Sequence, residues 1–219
     1  MAHTDPHQGG VPTDAAVTAR TFTLLLITVL AYLLIWQGVS RRTDLPVYYY
    51  GRLIELLGIF LFMALALTTP MRFADMGILT DRRTLLRSLA LGGAVALLAV
   101  GGSALAALFR HAEPLFSWHD RGDISRLTYF LVAPLQEVLS KSVMYYCFER
   151  CLGRAHPWRV NLLCAVGFGI FHVVYGLRMM LLAMLLTLVT GAMFRRVRCV
   201  WGCAVAHFAF GFFPLCFGL

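Results

Sequence analysis

Residues 88–109 read SLALGGAVALLAVGGSALAALF, a run of 22 positions with no charge and no proline. An α-helix rises about 1.5 Å per residue, so a run of this length reaches across a hydrocarbon core about 30 Å thick. A helix that is apolar all round belongs inside a large core or in a membrane. Its two Gly-Gly pairs and many alanines suit close helix packing in lipid, where small residues let backbones approach one another.

Segments of the same kind recur on both sides of this run, at 21–39, 53–69, 127–148, 160–177, 179–194 and 199–219. Spans of about 20 residues each use up most of the chain and leave short loops. The pattern predicts an all-α fold, a polytopic transmembrane helix bundle of about seven spans. The fifth and sixth segments are short and separated only by Tyr175-Gly176-Leu177-Arg178, which predicts a tilted, broken or re-entrant piece there. Residues 1–20 are polar, contain Gly and Pro and lack periodicity, so they read as a disordered tail before a single membrane domain over 21–219. The composition agrees: 59% of the 219 residues are hydrophobic and 14% charged, where a soluble domain carries about 25% charge.

The net charge is +8, and Lys141 is the one lysine among 19 basic residues. Arginines gathered in loops favour anionic headgroups and topology control, and they argue against a nucleic-acid partner. Clusters such as Arg82-Arg83 and Arg195-Arg196 fall in alternate loops, which favours a cytoplasmic N-terminus. The Arg-rich, Lys-poor composition points to the inner membrane of a bacterium. Cys147/Cys151 and Cys199/Cys203 are i,i+4 neighbours with no C-x-x-C spacing, so neither a disulfide nor a zinc site is expected of them. Trp118, His119, Asp120, Arg121 and Asp123 before the fourth span read as a solvated loop.

Ionisable groups deep in an apolar span are costly and therefore functional suspects. Glu55 stands close enough to a span end to reach the interface and is set aside, which leaves Glu137 and Lys141 in the fourth span, His172 in the fifth and His207 in the seventh. At about 1.5 Å per residue they lie about 15, 18 and 12 Å into their spans for Glu137, His172 and His207, all near the midplane. Glu137 and Lys141, four apart with the acid first, have the favourable order for a helical ion pair. A carboxylate with two imidazoles at one depth makes a general-base and oxyanion-binding set, or a metal site.

The segment Ala133-Pro134-Leu135-Gln136-Glu137-Val138-Leu139-Ser140-Lys141 resembles the Ala-Pro-x-Glu-Glu-x-x-x-Arg signature of the CPBP (CAAX protease and bacteriocin-processing, or Abi) intramembrane proteases. Phe168-Gly169-Ile170-Phe171-His172 is similar to that family's Phe-x-x-x-His motif, and His207 to the histidine of its last conserved helix. The resemblance covers about 127–211. It implies hydrolysis of a peptide bond in a membrane-anchored protein or peptide, with Glu137, His172 and His207 as catalytic residues and Gln136, Lys141 and Phe168 in support. It also implies glutamate chemistry with no cofactor, although two histidines and a carboxylate would suffice as zinc ligands.

The departures matter as much as the match. Where the family has its first glutamate, taken to activate water with the motif-two histidine, this chain has Gln136, whose amide cannot act as a base at neutral pH. Lys141 keeps the charge of the family arginine and loses its planar fork. Gly211 stands where an asparagine often adds an oxyanion donor. Two readings follow: an active variant in which Glu137, with His172, activates water while His207 meets the oxyanion, and an inactive accessory or immunity protein that binds a membrane partner. Neighbours on a helix are rotated by about 100°, so Glu137 does not simply take the place of residue 136, although Pro134 would loosen that turn.

Overall fold

The computed structural model describes residues 14–41, 51–111, 124–153 and 155–216. They form α1 (Asp14–Ser40), α2 (Leu53–Thr68), α3 (Arg82–Arg110), α4 (Ile124–Glu137), a π-helical segment (Val138–Met144), α5 (Tyr145–Leu152), α6 (Pro157–Ile170), a single 3-10 turn (Val173–Tyr175), α7 (Leu177–Val197) and α8 (Val200–Cys216). No strand occurs among the described residues. Since α4, the π segment and α5 run on without a break, the described residues form seven helical rods, an all-α bundle. Three of them, α1, α3 and α7, are long and apolar enough to cross a membrane by themselves.

The first helix begins earlier than composition suggests. Helix α1 starts at Asp14 and takes in residues 14–20. An acidic residue in the first turn, two alanines behind it and the burial of Val17 and Thr21 stabilise that extension. The outer side of α1 exposes Phe22, Leu26, Leu30 and Leu34, as a lipid-facing surface does. Its inner side sends Tyr32, 1% exposed, across to the carbonyl of Phe171 at 2.8 Å. The loop carrying Trp118 to Asp123 lies outside the described residues.

The small residues of α3 do not contribute equally. A Cβ at Gly92 would strike the backbone of Gly202 on α8, and one at Gly202 would strike Ser88, whereas Gly93, Gly101 and Gly102 face open space. Ser88 Oγ accepts from the Gly202 amide at 3.0 Å and donates to the Cys199 carbonyl at 3.1 Å, so the two backbones are held together by a hydroxyl that satisfies both sides. On the other flank α6 and α7 pair through Asn161, whose amide donates to the Leu188 carbonyl at 3.0 Å and whose oxygen accepts from Tyr145 Oη at 2.8 Å. Arg198, just past α7, pairs with Glu149 of α5. The α4–π–α5 rod is enclosed by α1, α2, α6, α7 and α8, and Gln136, Glu137 and Lys141 lie along it.

The expected break between the fifth and sixth segments falls at 171–176. Helix α6 stops at Ile170, the 3-10 turn follows, and Gly176 at φ +92° starts α7 from a conformation that L side chains rarely adopt. His172 therefore sits past the end of its helix, at φ −96° and ψ 3°, and not in the interior of a continuous span as the depth calculation assumed.

Candidate active site

Pro134 has no N–H to offer the preceding turn, and the helix responds one turn later by widening into the π segment from Val138. Gln136 and Glu137, at the end of the regular α-turns, aim at different neighbours, as their angular separation requires. Gln136 meets α2 and Glu137 meets α8.

Glu137 is fully buried, with His207 Nδ1 at 2.9 Å from Oε1 and Lys141 Nζ at 3.3 Å from Oε2. Lys141, also fully buried, donates a further bond to Ser140 Oγ at 3.0 Å. The ion pair read from the i,i+4 spacing is present, and it is shared with an imidazole on another helix. With Nδ1 given to a carboxylate, Nε2 is the atom of His207 available to a substrate.

His172 is held differently. Its Nδ1 lies 2.8 Å from the Phe168 carbonyl. A carbonyl only accepts, so Nδ1 carries a proton, and the neutral form of the ring in this tautomer presents its lone pair at Nε2. Phe168, 2% exposed, stands between the two imidazoles, with ring centroids 4.6 Å from His172 and 5.8 Å from His207. The non-helical backbone that carries His172 is tolerable at membrane depth only where protein or a water-filled cavity surrounds it.

The largest departure from the sequence reading is Glu55. It does not reach an interface: it is 5% exposed, and its Oε1 accepts from Gln136 Nε2 at 2.6 Å. Arg52 Nη1 stands 3.2 Å from the same oxygen, while Arg52 Nη2 donates to Tyr175 Oη at 3.2 Å, and the Tyr175 ring lies 6.1 Å from that of His172. The signal available in the sequence was Gly58, one helical turn on from Glu55. A Cβ there would meet the Leu139 side chain, so its absence lets α2 close on the π segment and brings Glu55 to Gln136.

Gly211 has a counterpart too. A Cβ at this position would collide with Tyr129 Oη, so the phenol from α4 fills the volume that a larger side chain at 211 would claim, 6.2 Å between its ring and that of His207. A cavity of about 30 Å³ adjoins the site, lined among others by Glu55, Gln136, Ser140, Phe168 and Phe171. Among the described residues no three His, Cys, Asp or Glu side chains are grouped to hold a metal ion. The ammonium of Lys141 beside Glu137 is itself a poor neighbour for a second cation.

Residues 124–213 match the family described as type II CAAX prenyl endopeptidase Rce1-like. No curated protein and no solved structure matches the chain. The matched stretch runs from the start of α4 into α8 and contains Gln136, Glu137, Lys141, Phe168, His172 and His207.

Proposed function

Residues 124–213 belong to the CPBP family of CAAX-type intramembrane proteases, and on that premise we propose that this integral membrane protein is an intramembrane endopeptidase that hydrolyses a membrane-anchored protein or peptide with activated water. The observation that carries the reading is the pair of imidazoles flanking Phe168, each with Nδ1 engaged and Nε2 left for chemistry.

The two rings are tied to different partners, and their roles follow. His172, bonded to a carbonyl, takes a proton from water at Nε2. The water oxygen attacks the scissile carbonyl carbon, and the carbonyl electron pair moves onto oxygen. His207 is held through Nδ1 by the Glu137 carboxylate, and with a proton on each ring nitrogen its Nε2–H donates to that oxyanion. Collapse of the tetrahedral species breaks the C–N bond, and the proton held by His172 leaves with the amine. Glu137 in this scheme holds His207, and Lys141 pairs with the other Glu137 oxygen, which is a different assignment from one in which Glu137 itself activates the water. Tyr129 Oη, in the volume beside Gly211, is placed to add a donor.

The substrates we propose are those of the family's chemistry: lipidated C-termini, leader peptides or sorting signals. The membrane we propose is a bacterial inner membrane with the N-terminus in the cytoplasm. The second reading, an inactive accessory or immunity protein, has one observation in its favour, the amide at Gln136. A cleavage assay on the detergent-solubilised protein with a pool of prenylated and leader-type peptides separates the two. Cleavage by the wild type that disappears in both His172→Ala and His207→Ala supports the protease; turnover that survives both substitutions would remove it.

A further inference from the structure

Gln136 leaves the family's site without its first carboxylate, and the fold places another at the end of that side chain. We propose that Glu55, delivered from α2, is the carboxylate that holds and helps to deprotonate the attacking water, in place of the glutamate missing at position 136. The inference rests on the protease reading above and deepens it.

The argument starts from the hydrogen bond between Gln136 Nε2 and Glu55 Oε1, at 2.6 Å. A carboxylate only accepts, so the amide nitrogen of Gln136 faces Glu55, and the carboxyl group lies one hydrogen bond beyond the position of a carboxylate on residue 136. Gln136 thus acts as an arm that fixes Glu55. Among the described residues Glu55 Oε2 is buried without a hydrogen-bond partner. An acceptor left this way in a protein interior is costly unless a water or a substrate group meets it. Glu55 lines the cavity of about 30 Å³ together with Gln136 and Phe168, and a water needs only about 10–15 Å³ of such space. Phe168, which lines this cavity, is also the residue against which His172 and His207 pack, so one side chain separates the water site from the two imidazoles.

Charge is arranged to keep Glu55 in use. Arg52, one turn before it, stands at 3.2 Å from Oε1 and links the carboxylate through Tyr175 to the turn that carries His172. Gly58 allows the approach of α2 that makes all of this possible, because a side chain there would collide with Leu139. A carboxylate placed only to neutralise an arginine at an interface would need neither the contact with Gln136 nor the burial.

The test is an exchange of the two side chains, measured as peptide cleavage by the solubilised full chain beside its thermal melting. Glu55→Gln is expected to lower kcat at least 100-fold, and Glu55→Asp to do nearly as much, because it keeps the charge near Arg52 but draws the carboxylate back by one methylene. The double variant Glu55→Gln/Gln136→Glu keeps one amide, one carboxylate and the bond between them, and is expected to recover cleavage to within about tenfold of wild type. The pH profile of kcat/KM should move between wild type and the double variant, since the titrating group has changed its residue. Wild-type kcat in a folded Glu55→Gln, with loss in His172→Ala, would overturn this assignment and leave the protease reading intact. So would an inactive but folded double variant, or cleavage that appears only when Gln136→Glu is introduced into an otherwise inactive wild type. No cleavage by any of these proteins would bring down both readings together.

Discussion

Tyr32 of α1 donates its phenol O–H to the carbonyl of Phe171, the residue just before His172, at 2.8 Å, and the two rings meet edge to face at 4.9 Å. A helix outside the matched family segment thus holds the unwound backbone on which a candidate catalytic histidine depends. Tyr32→Phe keeps the ring contact and removes one hydrogen bond, which is worth about 1 kcal/mol. We expect a small drop in melting temperature and a several-fold drop in kcat, with KM nearly unchanged. Steady-state kinetics on the solubilised variant reads both, and an unaltered kcat would separate Tyr32 from the site.

Lys141 and Glu137 form a fully buried pair. Removing one partner of such a pair leaves an uncompensated charge and costs about 3–5 kcal/mol, while replacing both is far milder. Lys141→Met should therefore destabilise the protein strongly, and Lys141→Met/Glu137→Gln should melt much closer to wild type yet remain inactive because His207 has lost its carboxylate. Thermal melts of wild type, Lys141→Met, Glu137→Gln and the double variant form a double-mutant cycle. Additive losses would argue against the pair.

At Gly211 the packing against Tyr129 Oη sets the expectation. Gly211→Ala forces the phenol aside and should cost about 1–3 kcal/mol, the usual range for inserting a methyl into a filled site. Tyr129→Phe in the same chain removes the colliding oxygen and should return most of that stability without returning full activity. Melting curves and turnover, measured together, distinguish lost packing from a lost donor.

Outside the bundle, Asp81 caps α3 by accepting from the Thr84 hydroxyl and from its amide at 3.0 Å. These bonds, the hydroxyl's first, hold the Asp81 carboxyl below its usual range. A carboxyl whose pKa is lowered in the folded state contributes stability that is fully present above the unfolded value, about 3.9, and is lost as pH falls through the folded one. The melting-temperature gap between wild type and Asp81→Ala should be constant near neutrality and close below about pH 4. A gap that stays open in acid would mean that the cap does not depend on ionisation.

Much of this arrangement was legible in residue order. Apolar runs gave the helices, the spacing of Glu137 and Lys141 gave the pair, and Tyr175-Gly176 gave the interruption after α6. The placement of His172 was harder, because a count of residues from a span end presumes unbroken helix and the backbone leaves helical geometry before that residue. Glu55 was misplaced for a related reason. Distance from a span end measures depth along one helix, whereas burial depends on what packs beside it, and the partner that covers Glu55 is 81 positions away. The start of α1 at Asp14 likewise depends on contacts made by Val17 and Thr21 that composition does not contain.

The π segment couples two halves of one rod that answer to different neighbours. Upstream, Gln136 and Glu137 must face α2 and α8; downstream, Tyr145 must face Asn161 of α6. One residue turns an α-helix by about 100°, so the wider winding of 138–144 works as a gear offset between the two sets of contacts. Shortening the segment by one residue, even with every polar side chain retained, would leave both halves helical and turn one of them out of mesh. The chemistry of this chain is thus encoded in a length as well as in its residues, and an insertion or deletion there is a graver change than most substitutions.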